Sequence, residues 1–444
     1  MLAAFVCLAP LTLPAQSRDL SLAECIEMSH SYNPDVTGAA LDALSARAQR
    51  REALSLWFPQ VSIKAGGFHS LNPLLRIGID DVLGSSDAAA NLRHYINTTS
   101  ALVGLEPEWS ALEKGWVGGV NVIQPVFAGG RIANGNALAA LGVKASETRR
   151  EMALRDNDES VTQKYWTIVT LSGKEAALQQ ALEMLGSMEK DVESAIKAGI
   201  RSDTDLMQLK LKKNEMENNM KQLRRGVKLA KMDLFNGIGL EYRVLELDSL
   251  RLSDGLDSLG SPESHYRDFD AVAASLAESR LLEMSVESKQ LEKKMALGEA
   301  LPQVALGGMF GYAHTIGDPT SINTVFATLS IPLSDWGRTS SKLERCRNEI
   351  EKAQSQKDYL EKQLLLKVNK AWVDLECAWD SRENAEQAVE LSRVLEERKR
   401  AEYESGVATM SELLHAQTEF QAALSSFVDA SAGYCRAVSA WHNL

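Results

Sequence analysis

Asp205 and Glu412 are two carboxylates 207 positions apart, at equivalent places in two copies of one pattern. The chemistry such a pair offers is attraction of cations, not bond making: acids repeated at one level of a narrow passage concentrate cations and set its selectivity. An acid just past a chain reversal also complements the dipole of the helix it opens, so each carboxylate has a structural use as well. Tyr403 lies three residues before Gly406, which offers its hydroxyl to Asp205 across neighbouring hairpins. Beside these groups the copies differ, with Ala408 against Arg201 and His415 against Gln208. The seven histidines, His30, His69, His94, His265, His314, His415 and His442, show no HExxH or paired-ligand spacing, and no Gly-rich phosphate loop follows a strand. No catalytic, metal-ligating or cofactor-binding residue is assigned, and the chain reads as a non-enzyme.

The elements that must carry these residues are written twice. Pro125, Gly130, Arg131, Tyr165, Gly199, Asp205 and Leu206 reappear at the same offset as Pro332, Gly337, Arg338, Trp372, Gly406, Glu412 and Leu413. A gapless offset over such a stretch marks a duplicated structural unit. From Ile132 to Ala198, and again from Thr339 to Ser405, 67 residues pass without a proline, about 100 Å if helical at ~1.5 Å per residue. Apolar positions step by three and four through Leu178, Ala181, Leu185, Met188 and Val192, as in a coiled coil. The stepping resumes after Gly199 and Gly406, so each copy predicts an antiparallel helical hairpin turned by a glycine.

Four shorter segments alternate as strands. Val61, Ile63 and Ala65 lead one, Trp116, Gly118, Val120 and Val122 the next; Val304, Leu306, Gly308 and Phe310, then Val325, Ala327, Leu329 and Ile331, repeat them. Each is about ten residues, the length of a tilted membrane-crossing strand. Trp57, Phe58, Trp116, Phe127 and Trp336 flank them, either as interfacial aromatics or as junction packing. Four strands cannot close a barrel in lipid, where an open edge leaves backbone groups unsatisfied, so several copies must pool them.

Composition narrows the partners. A formal net charge of −12, with 45% hydrophobic and 24% charged residues, speaks against a nucleic-acid partner. Residues 1–15 are apolar and uncharged and end in Leu13-Pro14-Ala15, which reads as a secretory signal, with a buried strand or an anchor as the alternatives. Cys25, Cys346, Cys377 and Cys435 are scattered without metal or redox spacing.

With these marks in order, the chain resembles the TolC-like outer membrane efflux protein family. The resemblance rests on Leu20-Ser21-Leu22-Ala23-Glu24 leading to Asn33-Pro34-Asp35-Val36, on Phe58-Pro59-Gln60-Val61 and Leu301-Pro302-Gln303-Val304, on Pro-x-x-x-x-Gly-Arg at Pro125 and Pro332, and on Gly199 and Gly406 followed by Asp205-Leu206 and Glu412-Leu413. It implies a mainly α fold with a small transmembrane β part. Each chain would hold two repeats and give four strands to a trimeric 12-stranded barrel continued by a long α-helical barrel. The domains would be a signal peptide (1–15), a first repeat (16–235), a connecting equatorial region (236–270) and a second repeat (271–444). Strands are expected near 59–69, 115–125, 302–313 and 323–332, long helices over 131–198 and 338–405, and tips over 199–204 and 406–411.

The resemblance further implies a homotrimer in the outer membrane of a Gram-negative bacterium, in contact with its lipid and extending into the periplasm. It would serve as passive exit duct for small molecules or polypeptides after docking with a periplasmic adaptor and an inner-membrane pump. In the family the tips meet the adaptor, which makes Gly199, Ile200, Arg201, Ser202, Gly406, Val407, Ala408 and Thr409 docking candidates and Asp205, Tyr403, Glu412 and His415 gate candidates. Family members often carry an arginine at the position of Ala408 and a second acid at that of His415, so the inner ring here is less negative, or pH-sensitive. A periplasmic or surface coiled-coil scaffold without a pore is the other reading; the alternating strands favour the channel.

Overall fold

In the computed structural model the described residues are 19–71, 75–78, 90, 92–96, 98–99, 108–111, 114–240, 251–252, 260–314 and 318–444. The signal expected over 1–15 lies outside them, as do most of the long loop after the first strand and much of the connecting region. In chain order, β1 (Asp19–Leu20), α1 (Leu22–Tyr32), α2 (Pro34–Ser55), β2 (Gln60–His69), β3 (Leu75–Gly78), β4 (Glu108–Ala111) and β5 (Lys114–Ala128) come first. The long helix α3 (Arg131–Lys197), α4 (Asp203–Ile238) and β6 (Arg251–Leu252) follow. The second half holds α5 (Phe269–Ser275), α6 (Ala277–Gly298), β7 (Gln303–His314), β8 (Thr320–Ser330), α7 (Arg338–Glu404) and α8 (Met410–His442). Among the described residues no helix is long and apolar enough to cross a membrane.

Local chemistry sets the helix boundaries. Ser21 and Glu24 form a capping box that starts α1: the Glu24 N–H donates to Ser21 Oγ at 3.3 Å, and the Ser21 N–H donates to the Glu24 carboxylate at 2.9 Å. Asn33 breaks α1 from α2 and accepts the Asp35 N–H at 2.8 Å, with Pro34 at the first helical position, where its missing N–H costs nothing. Both α3 and α7 are 67 residues long. Each ends at a left-handed glycine, Gly199 (φ 74°) and Gly406 (φ 83°). There the Ile200 N–H reaches Ala195 O at 2.9 Å and the Val407 N–H reaches Glu402 O at 2.8 Å.

The chain forms two compact units. One takes its described residues from Met1–Ser45, Val143–Val286 and Gln354–Leu444, the other from Ala46–Gly142 and Glu287–Ala353, so α2, α3, α6 and α7 contribute to both. The first unit is helical and holds three cores. One joins Leu20, Cys25, Tyr165, Ile168, Leu234 and Ile238. A second joins Val272, Leu276, Val368, Leu375, Tyr434 and Trp441, and here Trp372, the counterpart of Tyr165, meets Trp441 edge-on with ring centroids 5.2 Å apart. The third lies under the tips, where Leu178, Leu185 and Val192 of α3 meet Leu209 and Met216 of α4 and Met410 and Leu413 of α8.

The second unit contains a four-stranded antiparallel sheet in the order β2-β5-β7-β8. β2 pairs with β5 and β7 with β8, and β5 against β7 joins the two pairs. The rows Val61–Val122–Gly308–Val325 and Ile63–Val120–Phe310–Asn323 lie on one face; Ser62–Asn121–Met309–Thr324 lies on the other. Leu306, Tyr312 and Leu329 share the first face, which is apolar and largely exposed in the single chain. Pro125 sits within β5 because the ladder to β7 shifts register between Pro125 and Phe127, a bulge that absorbs the missing N–H. Among the described residues neither β2 nor β8 has a partner on its outer edge.

Candidate docking tips and gate

The tips are two short turns restarted by side-chain caps. Ser202 accepts the Thr204 N–H at 3.1 Å and starts α4. Thr409 and Glu412 make a reciprocal box that starts α8: the Glu412 N–H donates to Thr409 Oγ1 at 3.3 Å, and the Thr409 N–H donates to the Glu412 carboxylate at 2.8 Å. These bonds hold the Glu412 carboxyl below the usual carboxylate range, the Thr409 backbone N–H first. Ile200 and Val407 are open apolar side chains at the tips, 73% and 78% exposed. Ala408 is 6% exposed and packs into the core below, supporting its turn from inside.

Arg201 turns inward. Its guanidinium lies 4.2 Å over the Tyr403 ring and donates to the Tyr403 carbonyl. Tyr403 in turn donates its hydroxyl to Asp205 at 3.3 Å. Burial raises the Tyr403 pKa above the ordinary phenol value, the Asp205 carboxylate adds to the rise, and Arg201 opposes it. The first tip is thus tied to the end of α7 by a guanidinium, a ring and a carboxylate. His415 is separate from this group. It is exposed and meets Glu419 one turn on, at 3.4 Å.

Below the tips, two groups went unnoticed in the sequence. Glu189 pairs across its hairpin with Lys213 at 2.7 Å and Lys210 at 3.6 Å. Its counterpart 207 positions on, Glu396, is 4% exposed and pairs with Arg400 at 2.7 Å. The repeat offset carries that signal, since both copies keep an acid at this level. Gln417, the counterpart of Lys210, is 1% exposed, and neither of its amide atoms has a hydrogen-bond partner. An unpartnered buried amide costs about 1–3 kcal/mol, whereas Lys210 on α4 pairs with Glu193 at 3.2 Å. No local signal marks it.

Residues 276–440 match a family model described as outer membrane efflux protein. Solved structures carry the likeness over nearly the whole chain. The outer membrane protein VceC from Vibrio cholerae superposes with a TM-score of 0.73 at 15% identity, covering 95% of each chain. The outer membrane channel CmeC of Campylobacter jejuni gives 0.72 at 15% identity, over 95% of this chain and 84% of that one. The MtrE outer membrane channel of Neisseria gonorrhoeae, in its open state, gives 0.72 at 13%, over 97% and 92%. No curated protein sequence gives a significant match. The fold is therefore the one these solved structures share. Over residues 276–440 the chain is, in addition, similar to outer membrane efflux proteins.

Proposed function

We propose that the protein is the outer-membrane exit duct of a tripartite export system, a passive conduit for small molecules or polypeptides that docks with a periplasmic adaptor and an inner-membrane pump. The observation that carries this reading is the four-stranded antiparallel sheet with one apolar, exposed face and two open edges. An even number of alternating strands lets β8 of one copy pair with β2 of the next without breaking the antiparallel order. Three copies then give a closed barrel of twelve strands, and closure removes the unsatisfied edges that lipid forbids. Ile200 and Val407 are the docking surface, and Asp205 with Tyr403 is the periplasmic gate. The family match is to efflux proteins, so no catalytic step is assigned.

Membrane fractionation together with bilayer recording tests this. A heat-modifiable trimer in the outer membrane that conducts ions supports the duct. A soluble monomer without conductance overturns it in favour of a coiled-coil scaffold.

A further inference from the structure

The sheet differs in charge from the rest of the chain. The whole protein is formally −12, yet the strands of this sheet contain no Asp or Glu and two lysines, Lys64 and Lys114. Lys114 opens β5 and pairs with His69 at the loop end. Lys64 is different: it lies midway along β2, between Ile63 and Ala65, which belong to the apolar face, and so it projects from the opposite face with Ser62 and Asn121. Facing lipid near the midplane it would cost about 2–4 kcal/mol, which fixes its face as the wet one.

Its surroundings leave the ammonium free. In register, Lys64 pairs with Gly119, and Gly119 pairs with Gly311. A Cβ on Gly119 would come 2.6 Å from Phe310 O and 2.8 Å from the Gly311 Cα, so the strands approach too closely there for any side chain. The row next to it offers Ser62, Asn121, Met309 and Thr324. Lys64 makes no ion pair with a described residue.

We infer that Lys64 faces the lumen of the barrel and, repeated by the copies that close it, forms a cationic ring that favours anionic solutes in the membrane-crossing stretch. This rests on the duct proposed above. A twelve-stranded barrel has a backbone radius of about 12 Å and a lysine reaches about 6 Å inward, so a passing solute stays within roughly one Debye length, ~8 Å at physiological salt. The ring is therefore felt across the whole lumen.

The test is the anion-to-cation permeability ratio, read from reversal potentials in a KCl gradient, for the wild-type trimer and for Lys64→Arg, Lys64→Gln and Lys64→Glu. Each variant is first checked for heat-modifiable trimers. The ratio is expected to fall at least twofold in Lys64→Gln, further in Lys64→Glu, and to hold in Lys64→Arg. An unchanged ratio in conducting Gln trimers overturns the inference and leaves the duct intact, as does a ratio lost equally in Arg. Absence of trimer and conductance in the wild type overturns the duct itself.

Discussion

Tyr403 is held between two opposite charges, Arg201 over its ring at 4.2 Å and Asp205 on its hydroxyl at 3.3 Å. One such hydrogen bond contributes on the order of 1 kcal/mol, small enough for a docking partner to overcome and large enough, repeated by each copy, to bias a gate toward closed. Replacing Tyr403 by Phe together with Asp205 by Ala is therefore expected to raise single-channel conductance, and unchanged conductance would remove these residues from the gate. The approach of the hydroxyl to Asp205 was expected from spacing together with the family resemblance. The stacking of Arg201 was not, because residues 201 and 403 meet only once the two hairpins pack. Glu412 shows the opposite balance, since its carboxylate is occupied by the N–H of Thr409 and serves the helix start before any ring of charge.

Among the elements, α6 is fastened to its neighbours by Glu278. Its carboxylate accepts two bonds from Arg155 of α3, at 2.8 and 3.0 Å, and one from Lys367 of α7 at 3.2 Å. Burial alone would raise its pKa, but the Arg155 bonds and charge outweigh this and hold it at about 2, below the ordinary 4.5. A depressed carboxylate stabilises the fold above its unfolded pKa and loses that contribution as pH falls from about 4.5 toward 2. The expected worth is on the order of 2–3 kcal/mol near neutral pH. Melting of the wild type and Glu278→Gln should differ clearly at pH 6 and converge by pH 2; a constant difference would refute the role. The long helices were readable in advance, their proline-free windows and observed spans coinciding to one residue, because helical period and glycine exits are local properties. This three-way clasp was not, since its members lie in separate helices.

At the scale of the whole molecule, the exposed tip residues are where the proposed docking is tested. Ile200 and Val407 are open, whereas Ala408 is buried one residue away from Val407. A photocrosslinker placed at Ile200 or Val407 is expected to capture a periplasmic adaptor in intact cells, and one at Ala408 is not. Capture at neither exposed site would refute docking by these tips. The sequence by itself determined the mainly helical class with a few strands, the lengths of α3 and α7 and the alternating faces of the sheet. Each of these depends on neighbours along the chain, through period, caps and glycine exits. Only the tertiary structure decided that β5 pairs with β7 to join the two strand pairs, that Arg201 lies on Tyr403, that Gln417 is buried without a partner, and that Lys64 stands beside two facing glycines. Those contacts join residues up to about two hundred positions apart, and local spacing does not specify which distant residue becomes the neighbour.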